Sequence, residues 1–415
     1  MPVADILHIN LERLKRDHFE LSEIGRNEED RGIYRTAFSN ADMEGRRWLM
    51  AKLEEIGIEA HMDGAANVHG LLEHPDTKKR FVIGSHIDTV PCAGTLDGAL
   101  GVLVALESIR CIKEIGANTG QAIEIVAFSD EEGRFGGMFG SESYVGAITP
   151  ETLQYFSDLE NRTLAEAMSA QGLEPLKALE AKRDSSLITG YLEVHIEQGP
   201  VLYSQRKQVG LVENITGLFK WLIRIHGEAN HAGTTPMELR HDAFLGLAEF
   251  ANELPRILEE NGSDYSRATI GKAQILPGAP NTVPGLVEFT LDVRDPSAAN
   301  LEELGPAMRK ALSAIARRRK LKFEFEEQSF IRPVNCDEHI VSVLQRQADF
   351  LELDYLKLPS GAAHDAQMVA NIAPIGMIFV PSKDGLSHSP AEWTDWDHIE
   401  AGANLALNTL THLSR

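Results

Sequence analysis

A chain of 415 residues exceeds what one hydrophobic core normally organises, so two domains are expected; 43% hydrophobic and 25% charged residues are the proportions of a folded globular protein. With 62 Asp and Glu against 40 Lys and Arg, the net charge of -22 opposes binding to nucleic acid or an anionic membrane surface. Three cysteines fit a reducing compartment rather than a disulfide framework. No apolar run approaches the roughly 20 residues of a membrane span, and Met1 to Asp17 lacks the apolar segment of a signal peptide, so a cytoplasmic location is expected.

Amphipathic helices are predicted over 4–18 and 40–56, the second ended by Gly57, followed by a short hairpin around Met62-Asp63-Gly64. A buried strand over 81–85, a helix over 98–115 carrying Leu100, Leu103, Leu106 and Ile109, and a second buried strand over 122–128 come next. Strands without polar alternation, separated by helices, indicate a mixed or parallel sheet covered on both faces, and such sheets collect ligands at strand ends. Residues 151–190 read as polar helix leading into a strand that ends at His195. From about residue 212 the rhythm changes. Residues 218–226 alternate, 238–254 form a helix stopping before Pro255, 268–276 and 285–293 are strands, 300–318 is a helix and 321–330 a strand. That β-α-β-β-α-β order is ferredoxin-like. The expected fold class is therefore α/β: a mixed-sheet domain over 1–212 and 331–415, with a small α+β domain inserted over 213–330. Arg317-Arg318-Arg319-Lys320 closes a helix whose C-terminal dipole favours cations, and reads as a solvated helix end. A helix over 341–351, another opened by Ser360-Gly361-Ala362-Ala363-His364-Asp365-Ala366, a strand over 375–380 and a C-terminal helix to Ser414 complete the larger domain.

The chemistry concentrates at strand ends. Gly84-Ser85-His86-Ile87-Asp88-Thr89-Val90-Pro91 delivers an imidazole and a carboxylate to one face of a strand. Asp88 is expected to orient His86 by accepting its second ring N–H; a purely structural hydrogen bond is the competing reading. Asp97, in an Asp-Gly turn, is free to reach back. The strand to Phe128 runs into Ser129-Asp130-Glu131-Glu132-Gly133, whose adjacent carboxylates can divide the work of holding a metal and facing a water. His195 ends a strand and His388 follows one. If the two oxygens of Asp97 bridge two divalent ions, His86 and His195 complete one set of ligands and Glu132 and His388 the other. Three protein ligands per ion leave a position for water, as in catalytic zinc sites. Two adjacent metals can activate one water and polarise a carbonyl, and Glu131, unligated, is placed to pass the water's proton to a leaving nitrogen. Hydrolysis of a C–N bond follows as the reaction class.

Those motifs, together with His195-Ile196-Glu197-Gln198-Gly199-Pro200 and Gly227-Glu228-Ala229-Asn230-His231-Ala232-Gly233-Thr234-Thr235-Pro236-Met237, resemble the amidase, hydantoinase and carbamoylase branch of the M20 metallopeptidases nearly end to end. The resemblance implies zinc, manganese, cobalt or nickel in the binuclear site, a small carboxylate-bearing substrate, and homodimers joined through the inserted domain, which also serves as a lid. It gives His231 the stabilisation of the oxyanion in the partner's active site, and gives Asn281 and Arg294 the substrate carboxylate. Gln198 and the backbone at Ser360-Gly361 would complete a pocket for a ureido group. For Arg294, pairing with a nearby acid is the ordinary structural alternative. Two departures from the family pattern flank the pocket: Glu131-Glu132-Gly133 reaches Arg134-Phe135 one residue early, and Ala363 stands where a second glycine is usual. The implied activity is cleavage of N-carbamoyl-L-amino acids to amino acid, ammonia and carbon dioxide. Allantoate or a related ureide is the alternative, with dipeptides and N-acyl amino acids further off. A metal-free scaffold is the non-enzymatic reading, opposed by the presence of all five ligands and the base.

Overall fold

The four strands Arg80–His86, Ala122–Phe128, Ile188–Ile196 and Ile375–Val380 are buried along nearly their whole length, the pattern of strands covered on both faces. In the computed structural model, which describes residues 6–117 and 119–415, they lie side by side and parallel. The mixed sheet runs in the order Ala60–Met62, Val68–Leu72, Ala122–Phe128, Arg80–His86, Ile188–Ile196, Ile375–Val380, Val209–Ile215, with the first two strands as an antiparallel hairpin. Helices Ala99–Ile115 and Trp396–Leu413 share one core with Ile83, Ile125, Val194 and Ile378 of the strands. The parallel register sets His86 beside Phe128 and His195 beside Phe379, so these histidines emerge at the same, C-terminal end of the parallel strands.

The chain divides into two compact units. One takes it up to Glu213, then Asn335–Leu358 and His364–Arg415; the other holds Asn214–Val334 and Pro359–Ala363. In the second unit, four antiparallel strand positions occur in the order Ala273–Leu276, Leu286–Asp295, Gly217–His226, Lys322–Ile331. Helices Ala243–Asn261 and Ala298–Arg319 pack their apolar residues on that sheet, with Phe250, Ile257, Leu304 and Met308 against Trp221, Ile223, Phe289 and Leu291.

Several boundaries differ from expectation for identifiable reasons. The first helix spans Leu11–Glu23 rather than 4–18, because Asn10 caps it by accepting from the Arg13 N–H; positions 4 and 5 lie outside the described residues. The helix expected to stop before Pro255 contains it and ends at Asn261. An interior proline costs about 3 kcal/mol, but stopping there would strip Ile257 and Leu258 from the core, at about 1.5–3 kcal/mol for each fully buried side chain. The strand expected over 268–276 is interrupted: Arg267–Thr269 and Ala273–Leu276 pair with different parts of Leu286–Asp295. Residues 151–190 form short pieces, Pro150–Tyr155 and Leu164–Ala170, each opened by a threonine cap. Among the described residues no helix is long and apolar enough to cross a membrane.

Candidate metal centre

His86 is the last residue of its strand and His195 the last but one of its own. Asp97 comes to meet them because Gly98, at φ 63°, turns the chain into helix Ala99–Ile115. A Cβ at Gly98 would lie 2.2 Å from Cε1 of the His86 ring, so only glycine lets the turn pass this close. Gly98→Ala is therefore expected to displace the ring and lower metal content and kcat/KM by roughly 10–100-fold, the range seen when ligand orientation is disturbed; metal analysis of the purified variant checks it.

Two sets of potential ligand atoms converge, His86 with Asp97 and His195, and Asp97 with Glu132 and His388, each set lying within 4.8 Å. His195 Nε2 is 3.2 Å from Asp97 Oδ1. His388 Nε2 is 3.2 Å from Asp97 Oδ2 and 3.3 Å from Glu132 Oε2. Each oxygen of Asp97 thus faces a different set. The imidazole tautomers follow from the hydrogen bonds behind them. His86 Nδ1 meets the Asp88 carbonyl at 3.0 Å and His195 Nδ1 the Ile196 carbonyl at 2.9 Å. A carbonyl only accepts, so the proton sits on Nδ1 and the Nε2 lone pair faces inward. Among the described residues, His195 Nε2, Asp97 Oδ1 and Glu132 Oε1 are buried with no hydrogen-bond partner. Lone pairs pointed at carboxylate oxygens repel one another unless a cation lies between them. The donor set is therefore one that fits divalent metal ions, with imidazole and carboxylate ligands of the kind zinc and manganese accept.

The electrostatics agree. His388 is pushed up to about 10 by its hydrogen bonds to Asp97 and Glu132, so without metal its imidazolium supplies the missing positive charge. Burial works against charge on Asp97, but His388, His195 and His86 together hold its carboxyl below the ordinary range. Glu131 lies 3.4 Å from His86 Nε2. Burial, and after it the neighbouring Glu132, Asp365, Asp88 and Asp97, raise its carboxyl well above normal.

Asp88 departs from expectation. Its backbone carbonyl, not its carboxylate, holds the His86 ring; the carboxylate is 4.0 Å from Nδ1. The strand has ended at His86, so the side chain turns away and accepts from the backbone N–H groups of Glu131 and Glu132 at 3.4 and 3.3 Å, fixing the acidic turn. Buried Arg46 lies 3.9 Å from it and also binds Asp42 and the carbonyls of Ala66, Ala127 and Phe128. Gln198 stands at the same centre: its amide Nε2 donates to Asp97 Oδ2 at 2.8 Å.

Four residues absent from the sequence-based set stand close by. The Ser387 hydroxyl lies 2.8 Å from the same Asp97 oxygen and 3.0 Å from Glu392 Oε2, so its single proton bonds one carboxylate or the other. Glu392 accepts the Leu96 and Asp97 backbone N–H groups at 2.9 and 3.0 Å. The Glu392 carboxylate thereby holds the turn that carries Asp97, a link no local pattern reveals. His364 packs edge-on against His195, ring centroids 4.5 Å apart, and joins Glu193 and His195 in a further buried group. Of the two departures from the family pattern, Arg134 is anchored on the Ala37 carbonyl and Asp158 while Phe135 is buried; Ala363 closes the short return segment of the second unit.

In the second unit, His231 and Asn281 are held together: His231 pairs with Thr282, and Ala232 N donates to the Asn281 carbonyl. His231 Nδ1 accepts from the backbone N–H groups of Gly233 and Thr234 at 3.0 and 3.2 Å. The ring proton therefore belongs on Nε2, and the exposed ring presents an N–H donor. Arg294 donates to Asp292 at 2.9 Å and to the Gly361 carbonyl at 2.9 Å, so the acid pairing weighed for it is present.

The profile of Peptidase family M20/M25/M40 matches residues 82–412. The chain belongs to the M20 family. It is 37% identical to an N-carbamoyl-L-amino acid amidohydrolase of Geobacillus stearothermophilus over 409 residues, 97% of this chain and 98% of that protein. To an allantoate amidohydrolase of Escherichia coli it is 32% identical, covering 91% and 92%. Its fold superposes on a crystal structure of an amidase of the hydantoinase/carbamoylase family from Burkholderia multivorans with a TM-score of 0.90, at 32% identity and 98% coverage of both chains. The α/β mixed-sheet fold is that of this family, and the protein is an amidohydrolase of the M20 metallopeptidases.

Proposed function

We propose that the protein hydrolyses the ureido C–N bond of N-carbamoyl-L-amino acids, using two divalent ions, zinc or else manganese, cobalt or nickel. The observation that supports the reading most is the pair of ligand sets joined at Asp97, with His86 and His195 on one side and Glu132 and His388 on the other. Bound there, the ions would supply Lewis acidity to the carbonyl and a lowered pKa to a water. The chain's own residues do the rest. Gln198, Ser387 and, through the turn, Glu392 hold Asp97; the Asp88 carboxylate holds the turn of Glu131 and Glu132. Glu131, in neither set, takes the water's proton and gives it to the departing nitrogen, so that ammonia leaves and the resulting carbamate loses carbon dioxide to give the free amino acid.

His231 Nε2–H is a donor suited to the developing oxyanion. Asn281 and Arg294 would hold the substrate carboxylate and the backbone at Gly361 the ureido group, acting with His231 across the interface of a homodimer formed through the inserted domain. Arg294→Ala is then expected to raise KM for carboxylate substrates by roughly tenfold to a hundredfold, the loss of a charge-assisted bidentate contact, with kcat little changed; steady-state kinetics at fixed metal content check it.

Carbamoyl, acetyl and formyl derivatives of one L-amino acid, assayed beside allantoate with manganese-loaded enzyme, test the proposal. A pocket built to hydrogen-bond a terminal carbamoyl NH2 should reject the acetyl analogue by about 10⁴-fold in kcat/KM. Equal turnover of the acetyl compound, or preference for allantoate, would move the assignment to a deacylase or to a ureide hydrolase.

A further inference from the structure

Away from the metal centre, at the end of the parallel sheet where Arg80 and Ile188 begin their strands, a cavity of about 200 Å³ is lined by Arg80, Glu124, Tyr144, Lys182 and Arg183 among others. We propose that this cavity is a binding site for a small oxyanion, a phosphate or carboxylate, separate from the catalytic centre.

Its donors outnumber its acceptors. Glu124 already receives His69 Nδ1 at 2.9 Å and Arg80 Nη1 at 3.1 Å. Asp184, which also lines the cavity, spends one carboxylate oxygen on the backbone N–H and hydroxyl of Ser186. Among the described residues, buried atoms remain with no hydrogen-bond partner: Arg80 Nε, Arg183 Nε and Nη2, and the hydroxyl of Tyr144. Arg183 Nη2 is 3.7 Å from Glu124, too long for a hydrogen bond. Tyr144 is fully buried. Each unpaired buried donor costs about 1–3 kcal/mol, and all four belong to side chains that line this one cavity. Guanidinium groups donate and never accept, and their fork matches the oxygens of carboxylate and phosphate.

The site is also pre-shaped. The Arg183 guanidinium stacks over the Tyr144 ring, 5.7 Å from its centroid, and Arg183 N donates to the Tyr144 carbonyl at 2.9 Å. His69 also stacks on that ring, with centroids 6.1 Å apart, and is held between Glu124 and Asp63. Three cationic side chains thus meet in a chain whose net charge is -22, where they would concentrate an anion that the rest of the surface repels.

Isothermal titration of the metal-loaded protein with inorganic phosphate, and separately with acetate, tests this. One-site binding of either anion is expected; phosphate alone would identify a phosphate site, and acetate binding a carboxylate site. Arg183→Met and Tyr144→Phe should each weaken that binding by about tenfold or more while leaving kcat/KM for the hydrolysed substrate unchanged. If circular dichroism shows that Arg183→Met does not fold, Tyr144→Phe, which removes only the hydroxyl, decides alone. Absence of binding up to about 10 mM, a level that already means negligible affinity, overturns the proposal. So does binding that survives the substitutions unchanged, which would place the anion at the metal centre.

Discussion

Asp97→Asn is expected to lose both metal ions together and to lower kcat/KM by about a thousandfold or more, since both the activated water and the polarised carbonyl depend on them. The expectation rests on geometry particular to this residue. Its two oxygens face different ligand sets, Oδ1 toward His195 and Oδ2 toward His388, whereas every other proposed ligand belongs to one set of the bridged pair. Asn keeps the shape but halves the acceptor capacity and removes the charge that offsets two divalent cations. His86→Ala provides the contrast, because it empties one set and leaves Asp97, Glu132 and His388 in place. Metal content per chain, measured after gel filtration into metal-free buffer, should approach zero for Asp97→Asn and one for His86→Ala. Equal metal loss in both variants, or turnover of Asp97→Asn within tenfold of the parent, would remove the bridging role.

The parts of the site legible in the sequence are those that depend on local geometry. A strand that must be buried ends in a residue facing the crevice, so His86, the acidic turn after Phe128 and His195 could be picked out by position alone. What depends on the path of the chain after a strand ends was not legible. His86 and Asp88 have the spacing of a ring and its orienting carboxylate, yet the backbone carbonyl makes the contact because period-two alternation stops at His86. Contacts across hundreds of residues were equally hidden: Ser387 and Glu392 reach Asp97 and its backbone from 290 and 295 positions away. The same limit explains the fold boundaries. Pro255 reads as a stop signal, and only the core beneath Ile257 and Leu258 keeps the helix going. The return of Pro359–Ala363 to the second unit carries no compositional mark, although it brings the Gly361 carbonyl to Arg294.

Glu131→Gln is expected to retain both metal ions and the fold while kcat falls by about 10²–10⁴-fold, the usual contribution of a positioned general base. Glu131 belongs to neither set of three, so amide substitution takes nothing from the ions. Yet the residue is buried beside His86, 3.4 Å from its Nε2, and burial, then Glu132, Asp365, Asp88 and Asp97, raise its carboxyl. That environment suits proton transfer: a carboxylate that holds a proton more firmly than usual can accept one from water and still release it to a leaving nitrogen. Its orientation comes from the Asp88 carboxylate, which accepts the backbone N–H of Glu131 and of Glu132, so Asp88→Asn should lower kcat through the same base. Rate loss in Glu131→Gln with unchanged metal content and substrate affinity is the result expected. Near-normal kcat would assign the proton transfer elsewhere, and loss of one ion would turn Glu131 into a ligand.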